Sequence, residues 1–219
     1  MNIIYSKDIN DAAQKEIVVS GERETIGEIF LFVDLLPKTL DLKIILAGRG
    51  SRAELFFLFV GRENDVTEIN ITLVHEAPET YGRVMIKAAL FDESRLVVRG
   101  MLDIRHEAVG SDSHLLARAM LVSPKSRAEI YPYLEIATDE VKASHGTSIG
   151  RIDEKQLFYL ASRGIAEEEG KRLLLAEFFR DGVTGLPEDD RKKFFQVERP
   201  DQECKSVSEY TGKKKSSEY

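Results

Sequence analysis

The amino-acid sequence predicts a mainly β fold followed by a helical hairpin. Short apolar runs, separated by Gly, Asp, Asn, Ser and Pro, fill residues 16–151. Within residues 67–75, Ile69, Ile71 and Leu73 share one parity, an alternation typical of a strand with one buried face. Strands and turns recur roughly every ten residues, a spacing that a sandwich, a barrel and a stacked β-helix all share.

Further apolar runs predict strands in the same zone. They cover residues 55–60, 83–90, 95–104, 115–122, 130–136 and 141–149. No helical periodicity in this zone is long enough to supply the crossover helices of an alternating α/β fold. We therefore assign residues 1–151 to a single β core.

Residues 152–186 change to the helical period and predict two consecutive helices. Asp153 suits the N-cap of the first helix, and Gly164 suits the left-handed residue that ends it. The acidic residues 167–169 open the second helix, at the positive end of its dipole, and Gly182 ends it. Such an amphipathic hairpin must bury its apolar face. Packing on its own β core and docking another protein both satisfy that need.

The last part of the sequence is polar and charged. Residues 187–219 offer few apolar side chains to offset the entropy of ordering them, so they are predicted to form a flexible tail. The three lysines at 213–215 are expected to be solvated. Cys204 lies in this tail and has no second cysteine with which to form a disulfide.

Composition argues against several classes of function. The chain has 219 residues, 42% of them hydrophobic, and a formal net charge of −7. This acidic balance argues against nucleic acid or an anionic membrane surface as the main partner, because both bind clustered positive charge. No apolar run approaches the roughly 18 residues that span a bilayer. Residues 1–10 lack the pattern of a signal peptide, and one cysteine fits a reducing compartment, so we expect a cytoplasmic protein.

Familiar catalytic motifs are missing from the sequence. It contains no Walker A sequence, no GxGxxG after a strand, no HExxH and no GxSxG, so we expect that the protein is not an enzyme. His75 and His145 share the parity of neighbouring apolar residues and are predicted to face inward. Each is either a satisfied core residue or a ligand, since imidazole suits iron.

Three segments carry a resemblance to a known family. They read P-Y-L-E-I at residues 132–136, S-H-G at 144–146 and Q-L-F-Y-L-A-S-R-G-I at 156–165. In this order they resemble the SufB/SufD family, the scaffold subunits of the SUF iron–sulfur cluster assembly system. The resemblance spans about residues 45–180. The S-H-G sequence favours SufD, because SufB members usually follow the same histidine with glutamate.

The resemblance implies both a fold and a function. Family members have a right-handed parallel β-helix core followed by C-terminal helices that bind SufC, an ABC-type ATPase. SufB and SufD pair through their β-helices, and the interface histidine of SufD corresponds to His145. His75 also falls at a position where the family typically has histidine. Both are therefore candidates to contact a metal or a cluster at the interface.

These implications define the expected role of the chain. We expect a scaffold subunit that pairs with itself or with a SufB/SufD-like partner and docks a SufC-like ATPase through residues 152–186. We expect no stably bound cofactor, with transient binding of iron or an iron–sulfur cluster left open, because clusters are mostly held by several thiolates. The expected ATPase-docking side chains are Leu157, Phe158, Leu160, Arg163, Leu173, Leu174, Phe178 and Phe179.

The chain also departs from the family. Ala117 stands where SufB carries its functional cysteine, and a methyl group cannot form a thiolate. His114 lies near a position where the family usually has glutamine, and the chain is about half the usual family length. These departures leave open whether its role is SufB-like or SufD-like, and whether it forms a homodimer or a heterodimer.

Two other functions fit parts of the sequence. A β-helix enzyme acting on a polysaccharide would need paired carboxylates in a cleft, and the strand-borne Glu68 and Asp103 are acids of that kind. A solvated outer face explains the same acids more simply. A regulatory paralogue would keep the fold and the ATPase docking but lack cluster chemistry, in keeping with Ala117.

Overall fold

A computed structural model describes residues 2–5, 12–33 and 36–196. These residues form parallel strands and then helices, which confirms the predicted β-helix core with C-terminal helices. In chain order the strands are β1 (Asn2–Tyr5), β2 (Ala12–Val19), β3 (Thr25–Phe32), β4 (Thr39–Leu46), β5 (Arg52–Gly61), β6 (Val66–His75), β7 (Tyr81–Leu90), β8 (Arg95–Ile104), β9 (Asp112–Leu121), β10 (Arg127–Ile136) and β11 (Lys142–Arg151). The helices are α1 (Glu154–Ser162), α2 (Glu167–Val183) and α3 (Glu188–Gln196).

The strands divide between two parallel sheets. Sheet A has the order β1-β3-β5-β7-β9-β11, and sheet B has the order β10-β8-β6-β4-β2. The chain therefore changes sheet at every turn, and two consecutive strands make one coil of a solenoid. From β3 onward, each strand pairs with the equivalent strand one coil earlier, so each coil relies on its neighbours for hydrogen bonds and for burial of its apolar side chains.

The corners of the solenoid repeat a common turn. Ser94 and Ser126 each end one of these turns, and each hydroxyl donates to the carbonyl oxygen three residues earlier, at 2.6 and 2.9 Å. Thr80 makes the same contact at the opposite corner. Because these side chains are buried, the bonds satisfy their hydroxyl groups where water has no access. A serine or threonine directly precedes β5, β7, β8, β9 and β10, and it is a sign of the repeat in the sequence.

Apolar side chains from both sheets fill the interior of the solenoid. Phe30 and Phe32 on β3 lie directly over Phe57 and Phe59 on β5, with ring centroids 4.5 and 4.6 Å apart. All four rings are fully buried. Parallel register stacks like residues on like residues from one coil to the next, so a single row of aromatic side chains joins two coils.

Helix α2 packs against the outer face of sheet A. Its buried side chains include Leu175 and Phe179, which share an apolar cluster with Leu58 on β5. Gly182 allows the close approach, since a Cβ atom at this position would lie 2.5 Å from the Leu58 side chain. This face of α2 therefore packs on the protein's own β core, which is one of the two uses predicted for the hairpin.

A buried lysine also links the helix to the sheet. The Lys87 ammonium on β7 donates to the Phe178 carbonyl oxygen at 2.7 Å and lies 3.2 Å from the Asp181 carboxylate. The hydrogen bond and charge of Lys87 lower the pKa of Asp181. A charged group with this little exposure is tolerated only when it is paired, so Lys87 fixes the position of α2 along the sheet.

The predicted tail begins later than residue 187. Residues 188–196 form α3, and Phe194 is buried in the same apolar cluster as Phe179. The prediction of flexibility is therefore wrong for this segment, because its few apolar residues meet a surface that covers them. Cys204 and the lysines at 213–215 lie outside the described residues. Within the described part of the chain, no helix is long and apolar enough to cross a membrane.

The aromatic row predicts a large stability effect for one substitution. Phe57→Ala is expected to lower the free energy of unfolding by about 3–5 kcal/mol, because it leaves a cavity between two stacked coils. Phe158→Ala removes a ring that is 77% exposed and serves as the control, with an expected change below about 0.5 kcal/mol. Urea titration followed by circular dichroism measures both changes. Equal losses would contradict the described packing.

Candidate functional site

The last coil, formed by β10 and β11, is the open coil of the solenoid. One coil earlier, Leu102 and Ile104 are fully buried. Their register partners on β10, Leu134 and Ile136, are 38% and 45% exposed, and Ile149 on β11 is 46% exposed. The interior side of this coil therefore has no coil beyond it, within the described chain, to cover its apolar side chains.

His145 belongs to this open coil. It pairs in register with the buried Leu115, so its side chain has the inward parity that the sequence predicts, yet it is exposed because no coil follows. Ala117 lies one coil earlier on the same inner face and pairs with Thr147. His145 and Ala117 therefore lie on adjacent strands of sheet A, at the open end of the β-helix.

His75 lies in a different environment, inside the core. Its Nδ1 is 2.7 Å from the Thr80 hydroxyl, and its Nε2 is 2.8 Å from the Ser113 hydroxyl. Thr80 is in turn 2.7 Å from the Ser111 hydroxyl. Burial lowers the pKa of His75 to about 4, although the nearby Asp112 carboxylate opposes this shift. With both ring nitrogens engaged, His75 has the contacts of a satisfied core histidine.

The described residues show no group of three or more His, Cys, Asp or Glu side chains arranged to hold a metal ion. The structure does not bring His75 and His145 together, since one is buried within the solenoid and the other lies at its open end. Of the two predicted histidines, His145 is the accessible one. It could supply a single neutral imidazole to an iron ion shared with a partner.

The two helices of the predicted hairpin cross closely. Asp153 caps α1 by accepting from the Lys155 N–H at 2.8 Å, and Gly164 ends it with a φ of 83°. Leu157 and Leu160 of α1 pack at Gly170 of α2. These contacts partly cover one side of α1 with α2 and leave the other side exposed.

An apolar surface remains on the outer side of this hairpin. We call it the hairpin face, and it consists of Phe158, Tyr159, Arg163 and Leu173. Phe158 and Tyr159 are 77% and 58% exposed, and the Arg163 guanidinium lies 5.4 Å from the Tyr159 ring centre. Single exposed apolar residues are ordinary, but two consecutive exposed aromatic residues, with a leucine exposed on the neighbouring helix, are typical of an interaction site.

The predicted docking residues thus fall into three groups. Phe158, Arg163 and Leu173 are exposed and belong to the hairpin face. Phe179 is buried against sheet A, where it cannot meet a partner without leaving the core. The remaining predicted docking residues, each partly covered by the helices or by sheet A, are Leu157, Leu160, Leu174 and Phe178. Tyr159 is also exposed and is not among the predicted docking residues.

Comparisons with known proteins identify the family. The architecture is that of a parallel β-helix carrying C-terminal helices, and residues 38–178 match the family described as the SufBD core domain of SUF system FeS cluster assembly. The chain therefore belongs to this family, and the predicted SufB/SufD resemblance is confirmed.

The relatives include proteins named as SufD. The chain is 28% identical over 148 residues to the iron–sulfur cluster assembly protein SufD of Escherichia coli, covering 68% of this chain and 35% of that protein. It is 31% identical over 148 residues to SufD of Bacillus subtilis, covering 68% and 34%. A SufBD family protein of Mycobacterium leprae is 37% identical over 148 residues, covering 64% and 38%. The chain spans about a third of the length of these relatives.

The buried histidine predicts a pH dependence of stability. The folded state lowers the pKa of His75 from 6.5 to about 4, so the neutral ring is favoured on folding. Its contribution is complete above pH 6.5 and is lost as the pH falls toward 4, by about 3 kcal/mol in total. Urea titrations between pH 7 and 4 measure this loss.

Two variants isolate the contribution of His75. His75→Asn is expected to lower the free energy of unfolding at pH 7 and to flatten its dependence on pH between 6.5 and 4. His106→Asn changes an exposed histidine in the turn before β9 and should keep the wild-type dependence. An unchanged pH dependence in His75→Asn would show that other groups cause it.

Proposed function

We propose that this chain is a SufD-like scaffold subunit of an iron–sulfur cluster assembly complex. In this role it pairs with another β-helix of its family through the open coil and docks a SufC-like ABC-type ATPase through the hairpin face. The uncovered apolar interior of the open coil is the observation that carries the proposal. The membership of the chain in the SufBD core family supports the assembly role.

The open coil favours a solenoid as its partner. Strands β10 and β11 are the last strands of their sheets, so each has a free row of backbone N–H and C=O groups. Between these rows lie Leu134, Ile136 and Ile149, side chains that another coil would cover. A partner with the same coil shape satisfies both the backbone groups and the apolar area. A second β-helix, identical or homologous, fits that description.

A substitution at the open coil tests this pairing. Ile149→Lys is expected to abolish pairing, because it buries a charge in the interface. Val18→Lys changes a 52% exposed apolar residue on β2, in the first full coil, and should leave pairing intact. Size-exclusion chromatography with light scattering measures the mass of the chain alone and mixed with a SufB-like protein of the same genome. A paired mass for Ile149→Lys would contradict the proposed interface.

The hairpin face suits a different kind of partner. Its aromatic rings and the stacked Arg163 belong to the residue types enriched where a few side chains carry most of a binding energy. Deleting residues 152–219 is a poor test of docking, because the loss of α2 would also expose Leu58 and its neighbours on sheet A. Single substitutions on the hairpin face leave that cluster covered.

The docking prediction therefore uses a point variant. Phe158→Glu is expected to weaken binding to the ABC-type ATPase of the same genome at least tenfold, since it places a charge at the centre of an apolar contact. Val66→Glu, at a 54% exposed apolar position on β6, should bind like the wild type. Calorimetry measures both affinities. Equal affinities for the two variants would contradict docking through this face.

Cluster chemistry in this proposal is shared with the partner. His145 contributes one imidazole at the open coil, and Ala117 contributes no thiolate, so in a pair with a SufB-like protein it is that partner that supplies the thiolates. The cluster or its iron is then cargo at the interface and not a resident cofactor of this chain. The scaffold role requires no catalytic group, and we place the complex in the cytoplasm, where one cysteine stays reduced.

A further inference from the structure

Three polar side chains meet on the outer face of sheet A, at the edge of the open coil. Ser144 on β11 and His114 on β9 are register partners, and the Ser144 hydroxyl lies 2.6 Å from His114 Nδ1. The other ring nitrogen, Nε2, lies 2.6 Å from Asp112 Oδ1. The sequence hides this arrangement, because 30 residues separate His114 from Ser144 and only the length of one coil brings them together.

The roles of the two His114 ring nitrogens depend on the tautomer of the ring. A proton on Nε2, next to the Asp112 carboxylate, leaves Nδ1 free to accept the Ser144 proton. His114 Nε2 and Asp112 Oδ1 are as close as the two atoms of an ion pair, but they are not aligned as a hydrogen bond. Asp112 Oδ1 has no hydrogen-bond partner among the described residues. Asp112 therefore places a carboxylate beside the ring nitrogen that lies opposite Ser144.

A backbone donor lies next to the serine. The Lys142 N–H donates to the Ser111 carbonyl oxygen, on the β9 side of β11. Since successive N–H groups of a strand point to opposite sides, every second N–H group of β11 faces the free edge of the sheet. The His145 N–H is one of these, and it directly follows Ser144. A donor from the residue after a nucleophile is a common element of an oxyanion hole. A groove of about 390 Å³ adjoins the site and is lined by Arg83, His114 and Ser144, among others.

We infer that Ser144, His114 and Asp112 form a nucleophilic site that hydrolyses small acyl esters, an activity beyond the proposed scaffold role. Ser144 Oγ bonds to the acyl carbon while His114 Nδ1 takes the hydroxyl proton. The ester C–O bond then breaks, and the departing alcohol receives that proton. Water attacks the acyl-serine in the same way, which releases the carboxylic acid and restores Ser144. In the unpaired chain, where the edge of β11 is free, the His145 N–H stabilises the oxyanion in both steps.

Covalent labelling of the full chain tests the site. The probe is diisopropyl fluorophosphate, which loses fluoride as the serine oxygen bonds to phosphorus. Mass spectrometry is expected to find one adduct, on Ser144, and His114→Gln should slow its formation at least tenfold. Asp112→Asn should lower the maximal labelling rate without changing the probe concentration that gives half of it. Ser148→Ala, an exposed serine farther along β11, should label like the wild type.

Hydrolysis of p-nitrophenyl acetate gives a second readout. Ser144→Ala is expected to lose at least nine-tenths of the wild-type rate, and Ser148→Ala should keep it. The inference is overturned if Ser144 carries no adduct, if His114→Gln labels at the wild-type rate, or if Ser144→Ala hydrolyses the ester normally. Because Ser144 lies outside the hairpin face, the Ser144→Ala chain should still bind the ATPase, so failure of one proposal is distinguishable from failure of the other.

Discussion

The structure depends on one constraint, which is that a coil of this solenoid cannot bury its own interior. Each strand pairs with the coil before and the coil after, and rings such as Phe30 are covered because Phe57 lies directly over them. Repetition solves the problem everywhere except at the ends. At the C-terminal end the chain leaves the β-helix after β11 and continues as helices, so the apolar side chains of β10 and β11 stay exposed. The same stacking rule that stabilises the core thus leaves an exposed apolar surface at its C-terminal end, where we propose that a partner binds.

The helices follow a second constraint, imposed by the outer face of sheet A. Outward-facing side chains of this sheet such as Leu58 and Ile29 are apolar, so another element of the chain must bury them. Helix α2 supplies it, and Lys87 fixes the helix in place through a carbonyl and a carboxylate of α2. With α2 held on the sheet, α1 is left to project Phe158 and Tyr159 outward. A rigid support for an exposed aromatic pair suits a docking role, because little conformational entropy is lost on binding.

Much of the fold could be predicted from alternation alone. The strands from β5 to β11 follow the runs seen in the sequence, and the caps at Asp153 and Gly164 mark α1 correctly. Residue parity also gives the inward direction of His145. The α3 segment could not be predicted, because its burial depends on a surface that α2 and sheet A form together. Local polarity alone made that segment resemble a tail.

The candidate site was harder to predict than the fold. Residue parity predicts that His75 and His145 both face inward. His75 is nevertheless enclosed by hydroxyl groups and His145 is exposed, because burial depends on whether another coil follows. Likewise, Phe179 and Phe158 are both apolar helix residues, and only the position of sheet A separates the covered ring from the exposed one. The Ser144–His114 contact can be predicted only when the number of residues in one coil is known. The spacing between the corner residues Ser94 and Ser126 reflects that number, but it is easily missed in the sequence.

The central claim is that the chain presents two separate surfaces to two different partners. Hydrogen exchange followed by mass spectrometry tests it most directly, with the full chain alone, with the ABC-type ATPase, and with a SufB-like β-helix protein. We predict that the ATPase slows exchange in residues 154–173 and leaves 127–151 unchanged, whereas the β-helix partner slows exchange in 127–151. Protection of 127–151 by the ATPase, or of neither segment by either partner, would contradict the account.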